Sequence, residues 1–349
     1  MTPDFQEMDY NVIASLHNSA PTGRVAVLFA LVLLSLITGF SQIKTEGLAW
    51  QEANYLPRLE AAANHTAPAP WQYRVLTDRL VLAVCHLAVD LGLPRPIGLT
   101  FVTLRLLQNL ALFGLAFVFY RRLGIGAFLA ILGLSAVAWG MTQANYGSTL
   151  AFAAYTDLLL YLAAALALLE GRYRWIVPIT LVAALNRETS GLIPVMALAY
   201  AYARKREGHA GRDVARPAAL ALGLYFLIFA GLRLGYGVRP WVGDETGADP
   251  TFGFLLHNLT NDTAWGHAAG VLGIIPILAL LTYRMWHPLL RPVFWSVAPA
   301  WILIHLLLVP LGESRALLLP QLLIFIPGLL CGIQHLREHP THDPDGLLV

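Results

Sequence analysis

The chain is 349 residues long and 57% hydrophobic, and only 13% of its residues are charged, about half the share usual in soluble proteins. Its apolar residues lie in uninterrupted runs such as Val25–Phe40, Leu158–Leu169 and Ala300–Leu311, which a soluble core does not require. That excludes a soluble enzyme or a disordered tail, and a net charge of +2 with dispersed arginines implies no nucleic acid as a partner.

The required partner is the lipid bilayer. Residues 1–24 hold Asp4, Glu7 and Asp9, with no small-x-small cleavage pattern before Gln42, so a cytoplasmic tail followed by a retained anchor is expected. A single transmembrane domain is expected over 25–336, and a second cytoplasmic tail over 337–349. Runs of spanning length, about 17–25 residues, are 25–43, 97–120, 124–140, 150–169, 217–235, 268–283, 292–311 and 315–333. The expected fold is all-α: a polytopic transmembrane helix bundle of about eight full spans plus a short helical hairpin, with interfacial helices in the first outer loop. Cys85 and Cys331 lie in apolar segments without metal-ligand spacing and read as buried hydrophobes.

The first outer loop, 41–96, carries Glu46, Glu52 and Glu60 ahead of a Pro-rich stretch, Ala67-Pro68-Ala69-Pro70. Leu48, Tyr55, Leu59 and Ala62 recur at helical spacing with Glu52 in the same stripe, so a helix over about 47–62 would turn that carboxylate toward the bundle. Glu46 lies off the stripe, close to the end of the first span. Trp71-Gln72-Tyr73-Arg74 is an aromatic and basic cluster suited to headgroup anchoring. A sharper reading has Arg74, with Tyr73, receiving a lipid-linked phosphate, because guanidinium matches phosphate geometry.

Segment 75–92 is apolar enough to span, yet Asp78, Leu82, His86 and Asp90 fall at four-residue steps and give one face three ionisable groups. It reads as a second interfacial helix. Leaving it uncrossed puts Arg121/Arg122, Arg172/Arg174, Arg204-Lys205-Arg206, Arg212, Arg216, Arg284/Arg291 and Arg337 all on the cytoplasmic side, with a cytoplasmic N-terminus. Loops 141–149 and 236–266 then face outward.

Segment 175–203 has two basic ends and a polar tetrad, Asn186-Arg187-Glu188-Thr189, at its middle. One helix would be about 43 Å long and would leave a basic end outside, whereas two limbs of about 17–21 Å place the tetrad at a turn within the membrane profile. Backbone turning at that depth must be covered by protein or line a cavity.

Ionisable groups in spans are costly and commonly mark sites. Counted along their spans, Arg105, Asp157 and His305 fall about 10–13 Å below the outer surface, level with Arg187 and Glu188 and just beneath Glu313 and Arg315. A polar cavity open to the outer face is expected. The structural alternative pairs Arg105 with Asp157, Arg187 with Glu188, and Glu313 with Arg315 to fix packing alone.

A first span, a long acidic outer loop with two interfacial helices and an outward cavity together resemble the GT-C class of integral-membrane glycosyltransferases. The strings Trp71-Gln72-Tyr73-Arg74, Tyr155-Thr156-Asp157, Asn186-Arg187-Glu188-Thr189 and Glu313-Ser314-Arg315 also resemble those of a group of bacterial membrane proteins related to that class. The resemblance implies a polyprenyl-phosphate-linked sugar as donor, transfer at the outer face of the bacterial cytoplasmic membrane, and a first-loop carboxylate as catalytic base. Glu52 is the first choice for base and Glu46 the second. Arg74 and Arg187 are candidates to hold the phosphate, with Asp157 and Glu188 orienting them. Tyr73, Arg105, Asn186, His305, Glu313 and Arg315 complete the expected binding residues. Class members often have adjacent acidic residues, whereas five residues separate Glu46 from Glu52. That departure leaves a divalent metal cofactor open. A secondary transporter and a non-catalytic assembly or scaffold protein are the alternatives; a transporter should show internal repeats with corresponding broken helices.

Overall fold

The computed structural model describes residues 21–145, 151–239 and 252–339. Most of the expected tails, 1–24 and 337–349, lies outside them. Long apolar runs that must satisfy their own backbone groups in lipid become helices, and among the described residues every regular element is helical. The helices are α1 (Pro21–Glu46), α2 (Leu56–Ala63), α3 (Val75–Asp90), α4 (Pro96–Arg122), α5 (Ala127–Gln143), α6 (Phe152–Leu169) and α7 (Ile176–Ala184). They continue as α8 (Leu192–Arg206), α9 (Arg212–Tyr236), α10 (Phe252–Thr260), α11 (Asp262–Leu272), α12 (Ile275–Leu281), α13 (Leu290–Leu308) and α14 (Ile326–Glu338).

Among the described residues, six helical stretches are long and apolar enough to cross a membrane: Gly23–Thr45, Pro96–Arg122, Phe152–Leu169, Arg212–Tyr236, Leu290–Leu308 and Ser314–Glu338. The pair α11 and α12, bent by 57°, makes a seventh if it is one crossing. The chain is thus a multi-pass helical membrane protein. Two of the eight expected spans differ. The one at 124–140 is α5, a helix of 17 residues, about 25 Å long. The one at 268–283 bends where Gly273 adopts φ 54° and Pro276 opens α12, a left-handed step that glycine takes without steric cost.

The stretch Ser314–Glu338 is the most enclosed, with 89% of its apolar window buried, whereas α9 has 17% and lies at the periphery. Close approach to the central helix depends on small residues, as expected in lipid: a Cβ on Gly328 would lie 2.5 Å from the Trp286 ring. Around that helix α1 packs on α4 and α5, α4 on α6, α8 on α9 and α13, and α5 on α11.

The first loop departs from expectation in two details. The stripe members Tyr55, Leu59 and Ala62 are buried, but the chain reaches α2 through a π-turn at Gln51–Tyr55. In α3 the supposed polar face divides, because Asp78 and Leu82 are buried while His86 and Asp90 are exposed. The inward face is Thr77, Asp78, Val81, Leu82, Cys85 and Ala88, so the first turn of α3 is carried into the bundle.

Candidate functional site

The segment 175–203 is broken as its tetrad suggests. Helix α7 ends at Ala184, Arg187 is extended, and a short turn over Glu188–Gly191 leads into α8. Hydrogen bonds from three neighbours hold this tip. Asn186 is fully buried and donates to the Ala153 carbonyl at 2.9 Å, while Thr77 donates to its side-chain oxygen. Tyr161 donates to the Thr189 carbonyl at 2.6 Å and Tyr225 to the Glu188 carbonyl at 2.5 Å. The Leu76 amide donates to the Leu185 carbonyl at 2.9 Å, which ties the start of α3 to the tip. Gly191 leaves room for Tyr225, since a Cβ there would stand 2.7 Å from its ring.

Around the tip lie charged groups from four parts of the chain. Arg187 Nη1 is 3.8 Å from Asp157 Oδ2, and Thr189 donates to the same oxygen at 3.1 Å. Arg74 Nε is 3.7 Å from Glu188 Oε2, and Arg315 Nη2 is 2.6 Å from Glu313 Oε2. Burial by itself would raise the Glu313 carboxyl, but Arg315, then Arg74, Arg187 and His305, outweigh it and hold it below the ordinary carboxylate range. Those four cationic or basic side chains therefore share one electrostatic neighbourhood. His305 Nδ1 donates to the Trp301 carbonyl at 2.7 Å with its ring 4.5 Å from that indole, so Nε2 is the ring nitrogen without a hydrogen-bond partner.

Several buried atoms of this cluster have no hydrogen-bond partner: Arg74 Nε, Arg187 Nε, Asp157 Oδ1, Glu188 Oε1 and His305 Nε2. Buried polar groups are seldom left so. Unmet donors and acceptors gathered in one cluster are what a polar ligand or ordered water would satisfy.

Seven of the expected residues meet here: Arg74, Asp157, Arg187, Glu188, His305, Glu313 and Arg315. The ion pairs are not those of the packing alternative, because Arg187 takes Asp157 and Glu188 takes Arg74; only Glu313 with Arg315 is as expected. Asn186 serves as a tie within the tip. Arg105 stays apart: its guanidinium lies over the Phe152 and Tyr155 rings, at 4.4 and 4.5 Å, and donates to Gln108 at 2.8 Å. Tyr155 and Asp157 are two residues apart and so diverge around α6, which puts Arg105 level with the cluster but behind that helix. Tyr73 also turns away, donating to the Gly237 carbonyl at 2.9 Å beneath Arg233. The side chains of Glu46 and Glu52 lie outside the described residues.

Asp78, which the four-residue steps place on the polar face of an interfacial helix, is instead turned inward beside this cluster. It is 3% exposed, accepts from Tyr55 at 3.4 Å, and keeps Oδ2 unpartnered. Burial raises its carboxyl, with Arg58 and Arg74 acting against that. Burial, then Asp78, pushes the Tyr55 hydroxyl up to about 12, so Tyr55 acts as a donor. The available signal was a carboxylate interrupting the stripe Val81, Leu82, Cys85 and Ala88, the same kind of interruption that singles out Glu52. Among the described residues no three His, Cys, Asp or Glu side chains converge as a metal-ligand set. A solvent recess lined by Arg172, Tyr173, Arg174 and Asp213 opens at the other end of α6, about 20 Å along that helix from Asp157. Comparison with protein families, with curated proteins and with solved structures returns no match for this chain.

Proposed function

We propose that the chain is a GT-C-like glycosyltransferase that moves a sugar from a polyprenyl-phosphate donor to an acceptor at the outer face of a bacterial cytoplasmic membrane, with its N-terminus in the cytoplasm. The observation that supports this best is the convergence of Arg74 and Arg187, each with an unmet Nε, on a buried cluster that also holds Arg315. The acceptor oxygen attacks the anomeric carbon, the carbon–oxygen bond to phosphate breaks, and the polyprenyl phosphate leaves with the bonding pair. The guanidiniums stabilise that departing charge, Asp157 and Glu188 orient them, and a carboxylate takes the acceptor proton. Glu52 and Glu46 are the bases suggested by the sequence, and the buried position of Asp78 adds a third.

Purified protein in nanodiscs, supplied with polyprenyl-phosphate sugars, tests the reading. The variant lacking the base, among Glu52→Gln, Glu46→Gln and Asp78→Asn, should lose about 10²–10⁴-fold in turnover while keeping its fold. Full activity in all three would remove Glu46, Glu52 and Asp78 from the mechanism. A secondary transporter is the second reading, favoured by a second broken helix at the 57° bend between α11 and α12. Substrate-driven uptake into proteoliposomes without transfer would select it.

A further inference from the structure

Tyr73 and Arg74 point to different places, and the place Tyr73 reaches is a second cationic cluster. The Arg233 guanidinium lies 4.5 Å from the Tyr73 ring centroid and 3.4 Å from that of Phe229. The Arg239 amide donates to the Tyr73 hydroxyl at 3.1 Å, and Arg239 Nε donates to the Tyr236 carbonyl at 3.0 Å. Arg79 Nη2 donates to the Tyr236 hydroxyl at 3.5 Å, and the His65 ring lies 5.1 Å from that of Tyr236. Three guanidiniums and an imidazole thus gather around two tyrosines.

Among the described residues no carboxylate lies within ion-pair distance of Arg79, Arg233 or Arg239, whereas Arg74, Arg187 and Arg315 in the neighbouring cluster each have one. Aromatic faces hold these cations in place but do not neutralise them, and like charges sharing neighbours repel. Among the described residues the set therefore carries positive charge that no ion pair offsets. Its height is also telling: Arg233 is eight residues beyond Tyr225, which bonds the hairpin tip, so it stands about 12 Å further along α9 and three residues from that helix's end. Phe226 and Leu227 below it and Leu234 beside it are exposed on the periphery of the bundle, where acyl or isoprenoid chains would lie.

We infer that Arg79, Arg233 and Arg239 form a phosphate-binding site at the rim of the bundle, separate from the ionic cluster at the hairpin tip. The ligand chemistry is a phosphate monoester or monoanion, carried either on a lipid or on a soluble molecule. Planar guanidinium forks suit the phosphate oxygens; the Tyr236 hydroxyl and carbonyl hold those of Arg79 and Arg239, and the Tyr73 ring holds that of Arg233.

The test uses the full chain in a non-ionic maltoside detergent, with an environment-sensitive fluorophore on Val238→Cys. Val238 is 93% exposed next to Arg239, and both native cysteines are buried, so labelling reports this rim. Farnesyl phosphate should give a saturable signal that farnesol does not. Arg79→Gln/Arg239→Gln should move the midpoint at least tenfold upward, with an unchanged melting temperature. Arg79→Gln alone, at an exposed position, should move it at least threefold if the double variant folds poorly. Response to farnesyl phosphate alone supports a lipid-borne phosphate; an equal response to inorganic phosphate supports a soluble one. No saturable response to either, or an unchanged midpoint in the variants, overturns the site. Turnover is not needed, so failure of the transferase reading leaves this result standing.

Discussion

Two polar layers lie inside this bundle, and they are built on opposite terms. Where α1, α4 and α6 meet, Gln42 donates to the Tyr155 hydroxyl at 3.0 Å and accepts from Asn109 at 3.0 Å, a neutral chain that leaves only the Asn109 oxygen without a partner in that trio. At the hairpin tip the groups are charged, the ion pairs stand at 3.7 and 3.8 Å, and five atoms are unmet. Interhelical hydrogen bonds between neutral side chains stabilise packing. Charges buried with spare valences cost stability, and the fold retains them where the hairpin breaks. The first layer is adhesive, and the second has the properties of a site.

The largest effect should come from breaking the pair at the tip. Arg187→Gln leaves the buried Asp157 carboxylate without its cation, which should destabilise by about 3–5 kcal/mol. Adding Asp157→Asn should recover a large part of that loss. Thermal unfolding in detergent of the two single variants and the double variant measures the coupling. Additive losses would mean that the two groups do not act as a pair.

Next is the backbone that carries the tip. Gly191→Ala places a methyl 2.7 Å from the Tyr225 ring, so the ring must shift and its hydrogen bond to the Glu188 carbonyl must lengthen. A cost of about 1–3 kcal/mol is expected, as for overpacking elsewhere, together with weaker donor binding if the tip holds the substrate. Unchanged melting and binding would show that Tyr225 does not position Glu188.

Smaller again is the neutral layer. Gln42→Leu removes two hydrogen bonds between helices, worth together about 1–2 kcal/mol at the values measured in membranes. Melting temperature should fall while donor binding by the remaining folded protein stays at the parental value. A loss of binding out of proportion to stability would merge the two layers and weaken the comparison.

The all-α architecture was legible because lipid forces each long apolar run into a helix, and the hairpin break was legible because Asn186-Arg187-Glu188-Thr189 could not extend a buried helix. The convergence of Asp157, Arg187, His305 and Glu313 followed from residue counts along helices that start at known ends. What the counts lacked was rotation: Arg105 has the right height but the wrong side of α6, and pairing by sequence proximity gave Arg187 the wrong carboxylate. Asp78 was misassigned because four-residue steps define a face but not which way it points. The bend at Gly273 was hidden by an apolar run that read through a single glycine.

Asp78 provides the smallest expected effect and a test of sign. Burial raises its carboxyl above the usual range despite Arg58, Arg74 and the Tyr55 hydroxyl, so the folded chain holds this proton to higher pH than the unfolded chain does. Between the ordinary carboxylate value, about 3.9, and the raised folded value, the native state binds more protons, and stability therefore falls as pH rises through that window. Below it both states are protonated and the contribution is flat. Asp78→Asn keeps an acceptor for Tyr55 and has no such titration. Its melting temperature should match the parent's near pH 3.5 and gain on it, by a few degrees at most, as pH approaches neutrality. A variant that instead loses ground to the parent as pH rises would mean that the ionised Asp78 stabilises the fold through Arg58 or Arg74, and would place Asp78 with the paired charges of the tip.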